Sequence, residues 1–344
     1  MSEYVSGLKL GKKIGNGHFG DVFKATDTAH GEVAAKVLGR KAHHDEAEWD
    51  SYKGNALGEA QHLSKATHRN VVQVHHVVEG DGGNTVVICM EFCPGGSLQA
   101  KFEEGPMPFG AVRKAATEVL LGLSALHSRS MLHRDIKPAN ILLDGSGVAK
   151  LGDFGLVTDD LILGYGSAAG YSDHIAYEVW HGDGTSPKSD IWALGMTLYR
   201  LLHGQIWYDE TPKPRKLIEH GDFVQTLRWL PHIPKQWRTA IRKMLNDNPY
   251  KRYQNANQAL TGIATLPVEQ AWATTVSLDL VTWEQIKGKR LVKVHWERIS
   301  ERQHRWRAWS EPIGAGLNRT LAGSNGVVGQ AKALAGMREF FGSN

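Results

Sequence analysis

Two stretches of the sequence carry residue types spaced for phosphate chemistry. Gly15-Asn16-Gly17-His18-Phe19-Gly20 fits G-x-G-x-x-G, a pattern whose bare backbone amides can lie over phosphates. In a dinucleotide-binding fold this loop would lead into a helix. Here it leads into Asp21-Val22-Phe23-Lys24-Ala25, a strand pattern, then past Gly31 into Val33-Ala34-Ala35-Lys36. The loop is therefore expected in a hairpin, and a plain hairpin without a ligand would also fit it. The second stretch is more specific: His133-Arg134-Asp135-Ile136-Lys137-Pro138-Ala139-Asn140, followed by Asp153-Phe154-Gly155.

With these motifs in this order, residues 8–265 resemble the eukaryotic-type protein kinase family, serine/threonine branch. The resemblance implies an α+β, two-lobed protein kinase fold that uses ATP and Mg²⁺ to phosphorylate Ser/Thr hydroxyls of a protein substrate. It places Lys36 against the α- and β-phosphates, with Glu59 as its ion-pair partner and Glu46 and Glu48 as rivals. Asp135 would accept the proton of the substrate hydroxyl, and Lys137 would neutralise charge on the transferring group. Asn140 and Asp153 would supply the hard oxygen ligands of Mg²⁺. Such chemistry holds a polyanion beside a weak nucleophile, so positioning and charge neutralisation carry most of it.

The same resemblance assigns the adenine pocket. Val22 and Ala34 form its roof, Leu142 its floor, Met90 its rear, and Glu91-Phe92-Cys93 the hinge. Ser97 stands where many relatives carry an acidic ribose contact. Asp190 should brace the catalytic loop, and Glu178 should pair with Arg252 in a buried bridge. The activation segment, 153–178, departs from the pattern: Ala176-Tyr177-Glu178 replaces Ala-Pro-Glu, and the usual Gly-Thr is missing, with Gly170-Tyr171-Ser172 near its place. Arg134 before the catalytic Asp suggests control by phosphorylation, with Thr158, Ser167 and Ser172 as acceptors and Tyr165 and Tyr171 behind them.

These residues need elements to hold them. Strands are expected over 8–14, 21–25, 32–38, 71–78 and 85–91, with a helix ending near His68. Gly54 and Gly58 weaken that helix by about 1 kcal/mol each relative to Ala. Pro108 opens a helix whose Val112, Ala116, Val119, Leu120, Leu123 and Leu126 share a face, and further helices fall near 187–202, 234–245 and 255–265. The division expected is a small lobe over 1–93, a large lobe over 94–266 and a separate segment over 267–344.

That last segment holds five of the eleven tryptophans: Trp272, Trp283, Trp296, Trp306 and Trp309. Residues 290–297 and 304–310 alternate like paired strands, and 327–341 reads as a helix. Basic residues outnumber acidic ones there, so ring stacking on nucleic-acid bases is one reading. A small packed subdomain with a solvated basic face is the favoured one. A regulatory partner role, with 267–344 supporting the helix that bears Glu59, is the third.

Composition narrows the class. A net charge of +4 is too mild to imply nucleic-acid or membrane binding by the whole chain. Cys89 and Cys93 make no disulfide framework, and the 17 histidines are scattered, with no spacing that would hold a metal. No apolar run reaches the roughly 18 residues of a membrane span, so a soluble, cytoplasmic protein is expected. The rivals to a protein kinase are a non-catalytic pseudokinase and a small-molecule phosphotransferase. Retention of Lys36, Asp135, Asn140 and Asp153 argues against the first, and the large-lobe landmarks argue against the second.

Overall fold

The computed structural model describes residues 7–17, 20–40, 45–153, 172–211, 217, 220–269 and 272–343, apart from the side chains of Glu59, His62, Asp81 and Ser172. Runs of small and β-branched residues build the first layer. β1 (Lys9–Gly17), β2 (Gly20–Asp27), β3 (Gly31–Gly39), β4 (Val74–Gly80) and β5 (Thr85–Glu91) form an antiparallel sheet in the order β1-β2-β3-β5-β4. Helix α1 (Glu46–Ser64) packs on β4 and β5 through Ala56, Ala60 and Leu63. Its Trp49 Nε1 donates to Gly83 O at 2.8 Å, tying the helix to the β4–β5 connection. β4 starts later than 71 because β7 (Ala149–Leu151) competes for that backbone: Val71 bridges Leu151, and Val72 N donates to Leu151 O at 2.8 Å.

The second lobe is mainly helical: α2 (Leu98–Glu104), α3 (Phe109–His127), α4 (Tyr177–Trp180), α5 (Pro187–Asp209), α6 (Phe223–Thr226), α7 (Lys235–Met244) and α8 (Ala256–Ala264), with the hairpin of β6 (Ile141–Leu143) and β7. The apolar stripe of α3 is buried throughout, as its spacing requires. A capping box between Ser186 and Ser189 starts α5. Gly204 kinks it at φ 71°, where any Cβ would stand 2.7 Å from the backbone of Gly105.

Beyond residue 266 lies a second five-stranded antiparallel sheet, β8 (Ala273–Val276), β9 (Leu280–Lys287), β10 (Arg290–Arg298), β11 (His304–Pro312) and β12 (Arg319–Gly323), with α9 (Gln330–Ser343) packed on β11 and β12. The expected pair is present, in a register that sets Val294 opposite Ala308 and Trp296 opposite Trp306. β8, β9 and β12 were not foreseen from the sequence pattern. Trp272, Trp283, Trp296 and Trp306 are core residues of this packed unit, while the half-buried ring of Trp309 carries the Arg307 guanidinium on it at 4.6 Å.

The unit docks on the large lobe. Arg298 forms a two-pronged bridge to Glu210 (2.5 and 2.8 Å), and Trp237 Nε1 donates to Pro267 O at 2.8 Å. Ring contacts join Trp207 to Trp296 and His232 to Trp283. Helix α1 rests instead on β4 and β5 of its own lobe. No described helix is long and apolar enough to cross a membrane.

Candidate active site

The pleat and register of the first sheet decide which side chains meet. Alternate residues share a face, and the pairings Val22–Lys36, Ala34–Met90 and Lys36–Ile88 put Val22, Ala34, Lys36, Ile88 and Met90 on one side. Gly15 and Gly17 sit opposite Val22 and Gly20, so the glycine motif closes a hairpin, as expected. Gly20 has φ 148° with the Val37 carbonyl against it, a place where no Cβ fits. His18 and Phe19 lie outside the described residues, and Asn16 pairs with Asp21.

Across from this face, the β6–β7 hairpin brings Asn140 and Asp153 together. Ile141 pairs with Leu151 and Gly152 N donates to Asn140 O at 2.9 Å, which leaves Asp153 one step beyond. Asp153 adopts a left-handed φ of 53° and forms an ion pair with Lys36, itself 3% exposed. Burial opposes the charge of Asp153, but the Lys36 ammonium, with Lys137 and His133 behind it, outweighs burial and holds the carboxyl below its ordinary value. A small cavity of about 30 Å³ opens beside the pair, lined by Ala60, Val74, Ile88 and Met90 among others.

The loop of 133–140 is held from below. Asp190 on α5 accepts from the backbone N–H of His133 (3.0 Å) and Arg134 (2.9 Å), and its Oδ2 lies 2.9 Å from His127 Nε2. Burial works against that carboxylate, yet these bonds and the two histidines keep its pKa below the usual range. Arg134, at φ 68°, turns the chain and donates through Nε to Thr185 Oγ1 at 3.1 Å. Lys137 Nζ then stands 2.7 Å from Asp135 Oδ2, and Asn140 Nδ2 donates to the same oxygen and to Asp135 O, both at 2.8 Å. Asp135, Lys137 and Asn140 thus form one bonded cluster, with Lys36 and Asp153 joined beside it.

The remaining expectations divide. Glu178 and Arg252 form the buried bridge foreseen, with two contacts of 2.6 Å. The side chain of Glu59 is outside the described set, although its backbone lies on α1 as expected. Of its rivals, Glu48 closes a capping box with Asp45 (3.0 and 2.8 Å), and both Glu46 and Glu48 are exposed. Glu91 Oε1 meets Lys150 Nζ at 2.9 Å, and burial, then Glu91, pushes the Cys93 thiol up to about 12. Leu142 lies on β6, where its backbone bridges Ser97. Thr158, Ser167, Tyr165 and Tyr171 lie outside the described residues, as does the side chain of Ser172, whose backbone begins the turn Ser172–His174.

Tyr52 was not singled out from the sequence. Its phenol pKa is raised by burial and then by the Asp153 carboxylate, so α1 borders the cluster there. Nothing in its local spacing marks that role; it follows from the way α1 crosses the sheet.

Comparison with known proteins agrees with this geometry. Residues 8–262 match the family model described as "Protein kinase domain". The chain is 31% identical over 264 residues to "Hormonally up-regulated neu tumor-associated kinase homolog A" of Xenopus laevis, covering 74% of this chain and 37% of that protein. It is 30% identical over 273 residues to "Serine/threonine-protein kinase PrkC" of Bacillus subtilis, covering 77% and 41%. A third relative, "CBL-interacting protein kinase 30" of rice, is 31% identical over 260 residues, covering 73% and 53%. The match therefore spans between about a third and about a half of these relatives' own length.

Proposed function

The chain belongs to the protein kinase family, and from that premise we propose that it transfers the γ-phosphoryl group of ATP to Ser/Thr hydroxyls of protein substrates. The observation that carries this reading is the bonded cluster of Asp135, Lys137 and Asn140 set beside the Lys36–Asp153 pair. Asp135 accepts the hydroxyl proton as the new O–P bond forms. The bond from γ-phosphorus to the bridging oxygen breaks, and ADP leaves with that oxygen. Lys137, one hydrogen bond from Asp135, offsets charge on the transferring group, and Lys36 holds the α- and β-phosphates.

Asn140 and Asp153 suit Mg²⁺. Asn140 spends its amide N–H₂ on Asp135, which turns its oxygen end away, and Asp153 is kept ionised; both oxygens are hard donors. Bound magnesium would neutralise the β- and γ-phosphate charge. Gly15, Asn16, Gly17, His18, Phe19 and Gly20 would cover the phosphates. Val22, Ala34, Met90 and Leu142 would enclose the base, with the backbone of Glu91 and Cys93 bonding it. Glu59 would pair with Lys36 in the active state. Autophosphorylation at Thr158, Ser167 or Ser172 and the lobes at 1–93 and 94–266 belong to the same reading. We read 267–344 as a structural extension of the large lobe.

The test is transfer of label from γ-labelled ATP to protein and, separately, to small hydroxyl compounds. Wild type should label protein, and Asp135→Ala should lower the rate by about 10²–10⁴-fold. Label entering only small molecules, or no ATP consumed at all, would refute the reading.

A further inference from the structure

The small-lobe sheet has a second face, turned away from Lys36, and it gathers histidines. The pairings His76–Cys89 and Cys89–Ala35 put His76 on the face of Ala25, Ala35 and Cys89, which Asp27 also shares by strand alternation. Between Val74 and His76 the register slips, so β4 bulges at His75; bulges re-aim side chains. The β2–β3 turn brings His30 to the same place, where its ring stacks on His75 at 4.1 Å. The sequence shows no metal-binding spacing, yet Asp27 and His30 from the β2–β3 turn meet His76 from β4 here.

The three side chains lie within ligand reach of one point. Asp27 is 4% exposed; its Oδ1 lies 2.9 Å from His30 Nδ1, and its Oδ2 lies 3.5 Å from His76 Nε2. One ligand atom from each of Asp27, His30 and His76 falls within a 4.8 Å span. A tetrahedral ion with bonds of about 2.0–2.1 Å has ligand atoms roughly 3.3 Å apart, which this trio brackets. A purely structural role accounts for half of the arrangement, since Asp27 Oδ1 also accepts from the backbone N–H of Ala29 and His30 at 2.9 Å each. The other half is looser: His76 Nε2, a buried ring nitrogen that makes no hydrogen bond, meets the second carboxylate oxygen only as an ion pair at 3.5 Å.

We propose that Asp27, His30 and His76 form a Zn²⁺ site on the outer face of the small lobe, with water as fourth ligand. Two imidazole nitrogens with one carboxylate suit zinc and are poor donors for Mg²⁺ or Ca²⁺. The ion would clamp the β2–β3 turn to edge strand β4, and it stands across the sheet from Lys36. This site is independent of the proposed phosphoryl transfer.

The experiment titrates Zn²⁺ into the untagged full chain by calorimetry with excess Mg²⁺ present, and Co²⁺ by visible absorption. One equivalent should bind, with the intense bands of tetrahedral cobalt. His76→Gln and, separately, His30→Gln should each weaken binding by roughly a hundredfold, while His181→Gln, at an exposed residue of the large lobe, should not. Metal-free melting temperatures close to wild type would show that the variants fold; having two of them guards against one failing. No saturable binding by wild type, or full-strength binding in a folded His76→Gln or His30→Gln chain, overturns the site.

Discussion

The small-lobe sheet and the C-terminal sheet share five antiparallel strands and a helix packed on them, yet they bury different things. The first puts Lys36 and Met90 on the face beneath which Asp153 stands, and its helix carries Gly54 and Gly58 with open space beside each. The second fills its inner face with Trp283, Trp296 and Ala308, and its helix approaches so closely that a Cβ on Gly336 would stand 3.0 Å from Trp306. A sheet that must admit a ligand gives up close packing on one side. One whose inner face is filled with aromatic rings is packed until glycine is the largest residue that fits at 336 without Trp306 giving way. Helix stability therefore differs for a reason: α9 is held by aromatic area, whereas α1 depends on a few alanines, Leu63 and the Trp49 bond.

The largest expected effect tests whether the two sheets are independent. Trp283, fully buried against His232 and Phe341, should cost about 3–5 kcal/mol of stability as Trp283→Ala. Denaturant unfolding followed by tryptophan fluorescence reads that loss, and the KM for ATP should stay within about twofold, since a docked unit remote from Lys36 has no route to the nucleotide. A nucleotide affinity that falls together with stability would mean that the sheets act as one unit.

A smaller effect comes from the joint between the C-terminal sheet and the large lobe. His232 packs among Phe109, Trp283 and Phe341, near buried His203; burial pushes both imidazoles down to about 3, with His203 adding to the effect on His232. An unfolded histidine titrates near 6.5. Between those values the unfolded chain binds protons that the folded chain refuses, so this stability is whole above about pH 6.5 and is lost as pH falls toward 3. The slope approaches about 1.4 kcal/mol per pH unit for each histidine. Unfolding curves at pH 7.5, 6.5 and 5.5 measure it, and His232→Phe should remove about half of this contribution. An unchanged slope in that variant would separate His232 from the acid sensitivity.

What could be read from the sequence follows the range of the interactions. Asp135, Lys137, Asn140 and Asp153 lie within one short stretch closed by a hairpin, and the family resemblance that their motifs carry implied the arrangement. Glu178 and Arg252 are distant, and the family pattern predicted their bridge. The C-terminal sheet was half legible. β10 and β11 alternate cleanly, but β8 has four residues and β12 is exposed at four of its five, so neither leaves a periodic trace. The docking of Arg298 on Glu210 and the cluster of Asp27, His30 and His76 were invisible, because each depends on strand register or on packing between distant segments. The tryptophans beside so many arginines left base stacking open as the less favoured reading; alternation along β11 turns Trp306 inward and Arg305 and Arg307 outward.

The smallest expected effect bears on the loosely held helix. Gly58 lies on α1 with nothing within 4 Å of where a Cβ would stand, and Gly54 is the same. Alanine at either position meets no steric objection, and it removes the entropy that a helical glycine loses on folding. Gly54→Ala and Gly58→Ala should each stabilise the helix by up to about 1 kcal/mol, seen as slower amide exchange across 46–64. The corresponding substitution at Gly336 on α9 should destabilise, because Trp306 would have to give way. The sign of the change would thus differ between two helices of similar kind. If alanine helped in both, close packing would not be what sets the C-terminal sheet apart. If it hurt in both, α1 would be as tightly held as α9, and the contrast drawn between the sheets would fall.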